Sequence, residues 1–393
     1  MESSNPMRGR RWVVAAAVTA MLAIAPASSA GASTGWSIVP SPNASIGANF
    51  LSGVSCATAQ SCQAVGYSYD ATTGVARALT ESRTAAGWSL VPGANAGSGA
   101  NQLLGISCIS DRSCTGVGFY DAGGTNNTLI ESWNGRSWSV VPSPNRESAN
   151  NILSTVSCAS RQWCTAVGYS YDTNNPVFRV LVESWDGTNW SIAAAPNQGE
   201  EANILSGVSC LSRVWCTAVG YYNALGVVRT LVESWNGTTW SVVPSPNNGT
   251  FDNSLVSVSC VSSRSCQAVG EYGTPNFTTD QTLIEAWNGA SWSIVPSPNT
   301  GNDIDFFDGV SCRGAGSCTA VGTFFEDQLS AYRTLVESWD GQGWSIVPSP
   351  NNDSALNSLV GVSCITGRPR CTAVGYSSDA AAGNYRTLVA VSG

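Results

Sequence analysis

One sentence of sequence recurs seven times in this chain and leaves little choice of architecture. Its clearest copy runs from Leu205 to Asn247, LSGVSCLSRVWCTAVGYYNALGVVRTLVESWNGTTWSVVPSPN. Each copy carries a cysteine pair: Cys56/Cys62, Cys108/Cys114, Cys158/Cys164, Cys210/Cys216, Cys260/Cys266, Cys312/Cys318 and Cys364/Cys371. The first cysteines of successive copies lie 52, 50, 52, 50, 52 and 52 residues apart. A fixed period of this length belongs to propellers, solenoids or arrays.

Each copy divides into four short strand-like runs. In the clearest one these are Leu205–Cys210, Cys216–Tyr222, Val227–Trp235 and Trp240–Pro244, with turn residues between them. Asn236-Gly237 separates the third run from the fourth, and recurs as Asn134-Gly135, Asp186-Gly187, Asn288-Gly289 and Asp340-Gly341. Such pairs predict a tight primed hairpin with positive φ angles. No stretch beyond the leader keeps a helical period. Four antiparallel strands, seven times over, specify an all-β fold, a seven-bladed β-propeller.

The two ends of the repeat array point to closure. Gly35-Trp36-Ser37-Ile38-Val39-Pro40-Ser41-Pro42-Asn43 is a fourth strand with no first three before it. Leu359–Cys364, Cys371–Tyr376 and Arg386–Val391 are three strands with no fourth after them. The N-terminal strand is therefore expected to complete the last blade, which removes the exposed edge an open array would leave.

Residues 1–32 read as a signal peptide. Arg8, Arg10 and Arg11 precede an apolar run from Trp12 to about Ala25, and small residues offer cleavage after Ala30 or Ala32. The run is too short to predict a membrane span. The propeller is then residues 33–393, expected to be secreted and monomeric. All fourteen cysteines fall in the repeat pairs, as a disulfide framework in an exported chain would have them. Each bridge closes one hairpin, a constraint of roughly 2.4 kcal/mol by loop entropy alone. The spacing and the absence of histidine argue against zinc.

Charge excludes several functions. The chain carries a net charge of −8, and all of its basic residues are arginine. Nucleic-acid binding needs a basic footprint, which this chain lacks. A catalytic histidine, a Schiff-base lysine and a histidine-held metal are impossible here.

In a propeller, the hairpins joining first to second and third to fourth strands share one face. Here they are short and nearly constant in length. The loops joining second to third strands, and one blade to the next, share the other face and carry the variation. Variable polar loops on a rigid scaffold are where binding sits. The candidate binding residues on this loop face are Tyr69, Asp70, Tyr120, Asp121, Tyr171, Asp172, Tyr222, Asn223 and Phe325. Tyr67, Phe119, Tyr169, Tyr221, Tyr272, Phe324 and Tyr376 occupy neighbouring positions. Aromatic rings beside acids or amides suit a sugar, although strand alternation sends about half of these rings into blade packing.

Other repeated residues read as structure. Glu81, Glu131, Glu183, Glu233, Glu285 and Glu337 recur in the third strand, with Ala390 in the last copy. A six-fold glutamate suggests a repeated hydrogen bond or ion pair, with Arg77, Arg179, Arg229, Arg333 or Arg386 as partners. Paired tryptophans flank five of the third-to-fourth turns, Trp133/Trp138, Trp185/Trp190, Trp235/Trp240, Trp287/Trp292 and Trp339/Trp344, and suit packing. Trp163 and Trp215 stand inside two adjacent disulfide loops, where together they would form a partner patch. Asp303, Asp305 and Asp308 interrupt the pattern. A solvated acidic loop is their plain reading, and calcium, the one cofactor to consider, is the alternative.

The hairpin Ser184-Trp185-Asp186-Gly187-Thr188-Asn189-Trp190 resembles the Asp-box of sialidase-like propellers, one residue shorter between Asp and Gly. With the Ser-Val-Val-Pro that follows it elsewhere, it is also similar to the kelch repeat, with a single glycine after the second strand instead of two. Both resemblances imply a propeller. Neither carries catalytic residues across: the sialidase arginine triad has no match, and the copper-binding histidines of kelch-related oxidases are absent. The expected function is a non-catalytic, exported propeller that binds extracellular carbohydrate or protein through the loop face. The alternatives are a glycan-acting hydrolase or lyase, using acids such as Asp303, Asp305, Asp308, Glu326 or Asp327, and a structural module of the cell envelope.

Overall fold

Seven four-stranded antiparallel sheets follow one another along the chain in the computed structural model, which describes residues 35–147, 149–172, 177–274, 279–301, 304–352, 354–365, 370–379 and 383–393. The leader and Asp303 lie outside the described residues. Blades 1 to 6 occupy residues 49–92, 101–140, 150–192, 203–242, 253–294 and 305–346, and blade 7 occupies 357–392. Trp36–Val39 pairs antiparallel with Asn384–Ser392 and supplies the fourth strand of blade 7, so the ring is closed.

Blade 4 shows why these residues form these strands. Its inner strand, Asn203–Ser212, alternates buried and half-buried positions. Its second strand, Trp215–Ala224, is buried without alternation from Cys216 to Gly220, as a strand covered on both faces must be. The core is not inside a blade but between blades. Leu205, Val208, Ala218, Leu231 and Trp240 of blade 4 pack on Val167 and Val182 of blade 3. The same contact joins blade 1 to Val374 and Val389 of blade 7.

Three hydrogen-bonded belts tie the blades together. In the first, the serine before each first cysteine accepts the next blade's cysteine N–H. Ser157 Oγ takes Cys210 N at 2.9 Å, Ser209 takes Cys260 N at 3.1 Å, and Ser363 closes the circle on Cys56 N at 3.0 Å. In the second, an asparagine opens each inner strand and clamps the linker before it. Asn253 accepts Asn248 N at 2.6 Å and donates to the Phe251 carbonyl at 2.7 Å. Asp305 takes this place in blade 6.

The third belt corrects the expected glutamate–arginine pairing. Four of the six buried glutamates, Glu81, Glu183, Glu285 and Glu337, meet a serine of the preceding Pro-Ser-Pro segment: Ser245 Oγ lies 2.8 Å from Glu285 Oε2, and Ser143 Oγ lies 2.6 Å from Glu183 Oε2, whereas Glu131 accepts Ala94 N at 2.9 Å. The arginines turn outward instead and hold linker carbonyls, as Arg229 does those of Thr250 and Phe251. A guanidinium is too costly to desolvate in the blade interface, where a hydroxyl fits. Ala195 replaces the serine before blade 4, and both carboxyl oxygens of Glu233 are left buried without a partner. Where Ala390 replaces the glutamate, Ser349 turns back to the Thr334 carbonyl at 2.7 Å.

All fourteen cysteines form the seven disulfides of the repeat pairs. Reading each bridge only as the closure of a hairpin needs correction, because the two cysteines of a pair are not equivalent. The first of each, such as Cys56 or Cys210, is half-buried. The second is buried in every blade: Cys62, Cys114, Cys164, Cys216, Cys266, Cys318 and Cys371. The second strand is covered by sheets on both sides, so a side chain at its start enters the blade interface. Cys62, Cys114, Cys266 and Cys318 each join the apolar cluster of their own blade, beside Leu51, Leu103, Leu255 and Phe307 in turn. Each bridge is thus a core contact as well as a loop constraint, and its inner sulfur is shielded from solvent.

The third-to-fourth hairpins also differ from expectation. Gly237 has φ 98°, but no asparagine or aspartate of these turns has positive φ. The loop is four residues long between paired Trp235 and Trp240, and Asn236 shapes it by accepting the N–H groups of Thr238 and Thr239 at 2.9 and 3.0 Å. Trp163 and Trp215 do not make a shared patch. Trp163 stacks on Trp235 of blade 4 at 6.5 Å, and Trp215 packs into the core of blade 5.

A bulge interrupts every inner strand, between Leu205 and Gly207 in blade 4. The glycine that pairs beside it is obligatory: a Cβ on Gly220 would sit 2.0 Å from the Ile204 carbonyl oxygen. This close approach explains the single glycine after Ala-Val. The bulges place Ser52, Leu104, Ser154, Ser206, Val256, Asp308 and Val360 around an axial channel of about 350 Å³.

Burial pushes the interface glutamates up, Glu81, Glu233, Glu285 and Glu337 to about 8 and Glu131 and Glu183 to about 7, from an ordinary 4.5. The folded state holds these protons more tightly than the unfolded chain, so the stability they favour is complete below 4.5 and falls as pH rises towards 8. Thermal melts across that window should show a falling Tm, with a shallower fall in Glu233→Gln. A flat profile would contradict buried, neutral glutamates. Ala195→Ser should give Glu233 its missing partner and raise stability by about 1 kcal/mol, read as about 2 °C in Tm.

Candidate functional site

The residue after the obligatory glycine stands at the mouth of the axial channel, on the loop face. It is Tyr67, Phe119, Tyr169, Tyr221, Glu271, Thr323 and Tyr376 in blades 1 to 7. Each pairs in register with the inner-strand residue before the recurring Leu or Phe, as Phe50 with Tyr67 and Ser358 with Tyr376. Five aromatic rings therefore surround the mouth, all half-buried. Phe50 lies 5.1 Å from Tyr67 and 4.9 Å from Tyr376, and so joins blades 1 and 7. Burial, with Tyr69 and Tyr376 close by, pushes the Tyr67 hydroxyl up to about 12. Burial also raises Tyr169, Tyr221 and Tyr376.

The aromatic circle breaks at blades 5 and 6, where Glu271 and Thr323 stand, and a cavity of about 380 Å³ opens in the gap. Phe306, Tyr332 and Tyr376 wall it, Ile304 and Leu356 add apolar surface, and Thr323 and Ser358 meet across it at 3.0 Å. Glu271 and Asp280 supply its charge. Burial, then the nearby Asp280, raises the Glu271 carboxyl; burial, then Asp252, raises Asp280. Burial in the channel wall, with Glu271 next, pushes Asp308 up to about 8. A second cavity of about 330 Å³, between the loops of blades 4 and 5, shares Asp280 with the first.

The residues singled out in the sequence lie around this mouth, mostly on its rim. Tyr69 is exposed and edge-on to Phe50 at 6.4 Å. Tyr120 packs beside the core of blade 2, and Tyr222 beside that of blade 4. Tyr171 lies 4.9 Å from Phe178, and Asp172 follows it. The polar members shape loops: Asp70 accepts Thr72 N and Thr73 N at 2.9 and 2.8 Å, Asp121 accepts Gly124 N at 2.6 Å, and Asn223 accepts Gly226 N at 2.8 Å. Those bonds hold Asp70 below the usual carboxylate range. Phe325 is the member nearest the cavity, edge-on to Tyr332 at 5.0 Å.

The acidic insertion separates. Asp305 is fully buried, with one carboxyl oxygen on Thr300 N at 3.0 Å and the other on Thr300 Oγ1 at 2.7 Å, while Asp308 faces the channel. Glu326 pairs with Arg333 at 3.1 Å. Among the described residues no three acidic or cysteine side chains are placed to hold a metal. Glu271, Asp280, Phe306 and Tyr332 were missed in the sequence. The signal for Glu271 was present: Ala-Val-Gly-Glu breaks the Ala-Val-Gly-Tyr of blades 1, 3, 4 and 7.

No family model matches the chain, and no curated protein matches it. Its fold is similar to that of YCF48 bound to D1 peptide, with a TM-score of 0.50 and 12% identity, over 90% of this chain and 94% of that one. It is also similar to a GH93 α-L-arabinofuranosidase of Fusarium graminearum in complex with arabinobiose. That likeness has a TM-score of 0.47 and 13% identity, over 73% of this chain and 91% of the other. At such identities the first likeness speaks for the fold, and the site rests on the residues above.

Asp305→Asn restores the residue of the other blades at the linker clamp. It should fold with an unchanged Tm, and calcium should move neither protein. A calcium-dependent rise in Tm that the variant loses would instead make Asp305 a ligand.

Proposed function

We propose that this chain is an exported, non-catalytic, monomeric propeller that binds an extracellular carbohydrate at the mouth of its loop face. The observation that carries the reading is the convergence of five aromatic side chains on one opening, broken by a cavity with hydroxyls and carboxyls in its wall. Flat rings take the C–H faces of a sugar and the polar groups take its hydroxyls, while a rigid ring of blades keeps the site preformed. Tyr69, Tyr120, Tyr171, Tyr222 and Phe325, with Asp70, Asp121, Asp172 and Asn223 in the loops, form the rim that selects among sugars. Seven disulfides and the apolar leader support export. The capped Asn/Asp-Gly hairpins support a kinship in mechanics with Asp-box and kelch propellers.

A hydrolytic reading has one observation in its favour. Glu271 stands close to Asp280 and to Asp308; beyond burial, Asp280 helps raise Glu271 and Glu271 helps raise Asp308, and neighbouring carboxyls of this kind are the material of acid–base pairs. A protein ligand is the other competitor, since YCF48, alike in fold, is bound to a peptide.

A glycan and cell-wall polysaccharide array, probed with the purified protein, tests the proposal. Saturable binding to one glycan class, weakened about tenfold or more by Tyr376→Ala or Tyr332→Ala, is the expected result. Release of reducing sugar that Glu271→Gln abolishes would establish the hydrolase. Binding to no glycan would overturn the carbohydrate reading in favour of a protein ligand.

A further inference from the structure

The gap in the aromatic circle gathers four carboxyls that no cation of the protein meets among the described residues. Asp252, Asp280, Glu271 and Asp308 run in sequence from the loops of blades 4 and 5 into the channel, each near the next. Among the described residues none of the four forms an ion pair. The arginines of this face are committed elsewhere. Arg229 is held on linker carbonyls, Arg333 on Glu326, and Arg386 on Asp379 at 3.2 Å. No lysine or histidine exists to take their place. Asp308, deep in the channel wall, has neither a hydrogen bond nor an ion pair among the described residues. Unpaired carboxyls beside apolar walls are expensive, and a cation brought by a ligand would remove that cost.

The walls indicate what carries the cation. Tyr332, Tyr376 and Phe306 offer ring faces, which attract both an ammonium group and the C–H face of a sugar. Asp280 lines both cavities, so it borders open space on two sides. An anionic glycan would face four carboxyls.

Resting on the carbohydrate reading above, we propose that the cavity beside Glu271 and Asp280 takes a sugar chain with free amino groups, a de-N-acetylated hexosamine oligomer. Its ammonium lies between Glu271 and Asp280, and its ring lies against Tyr376. Glu271 and Asp280 are the specificity-determining residues: they separate an amino sugar from its acetylated counterpart, which has the same ring and no charge.

Calorimetric titration at neutral pH with a glucosamine tetramer and an N-acetylglucosamine tetramer decides the matter. The amino tetramer should bind at least about tenfold more tightly, the scale of one charge-assisted contact. Glu271→Gln and Asp280→Asn should each remove that preference, with Tm unchanged and with the weak binding of the acetylated tetramer retained. Arg112→Gln, in a hairpin on the opposite face, should change neither. Equal or tighter binding of the acetylated tetramer would overturn the inference and leave the carbohydrate reading standing. Failure of every sugar on the array and of both tetramers would overturn the two together. Binding of a lysine tripeptide that depends on Glu271, with no binding of the amino tetramer, would also overturn it, since the ammonium would then come from a protein.

Discussion

A ring of blades holds only if each inner strand is tied to the next, and here a single serine hydroxyl per blade does this. The hydroxyl before each first cysteine accepts the following blade's cysteine N–H, seven times around, at 2.9 to 3.1 Å. The inner strand has only one partner in its own sheet, so one side of its backbone would otherwise have nothing to bond. The disulfide beside it closes the hairpin that carries the donor and sinks its second sulfur into the blade interface. Apolar packing between blades supplies the larger area, but it is non-directional. The serine belt adds a directional contact between neighbouring inner strands, the same in all seven blades.

Where the repeat is kept, it is structure; where it fails, something else has been selected or tolerated. Ala195 stands where most copies have serine, and Glu233 is left without a partner, a defect inside the interface. The paired change at blade 7 is compensated, since Ala390 has no carboxyl and Ser349 finds the Thr334 carbonyl. The departures at blades 5 and 6 are of another kind. Glu271 replaces an aromatic residue, Thr323 replaces another, and Asp308 places the one charged group among the bulge residues of the channel. Glu271 and Thr323 line one cavity, and Asp308 lines the channel beside Glu271.

The architecture was legible because its causes are local and repeated. Cysteine spacing and turn glycines record constraints within some fifty residues, and the incomplete copies at the two ends record the one long-range pairing that closes the ring. The belts were not read, although their spacing is in the chain: Ser41 to Glu81, Ser143 to Glu183 and Ser245 to Glu285 are all 40 residues apart. A serine in a strand does not announce an acceptor on another blade, and glutamate beside a row of arginines suggests an ion pair. The rim residues Tyr69, Tyr171 and Tyr222 were visible as aromatic residues at loop ends. The cavity was not, because it is defined by a missing ring: Glu271 matters for the tyrosine it replaces.

The same contrast explains why composition constrains this site more than any motif does. A chain whose only cations are arginines can answer a buried carboxyl with a guanidinium or leave it to hydroxyls. The blade interfaces use hydroxyls, and the linkers absorb the arginines as clamps on backbone carbonyls. Raised carboxyls are therefore ordinary in this fold, and elevation alone does not distinguish a site from an interface. What distinguishes Glu271 is its surroundings. The interface glutamates are sealed between two sheets, whereas Glu271 and Asp280 border open space with aromatic walls and other carboxyls. An interface glutamate can remain neutral and buried at little cost to its neighbours. Glu271 and Asp280 instead border space that a ligand can enter.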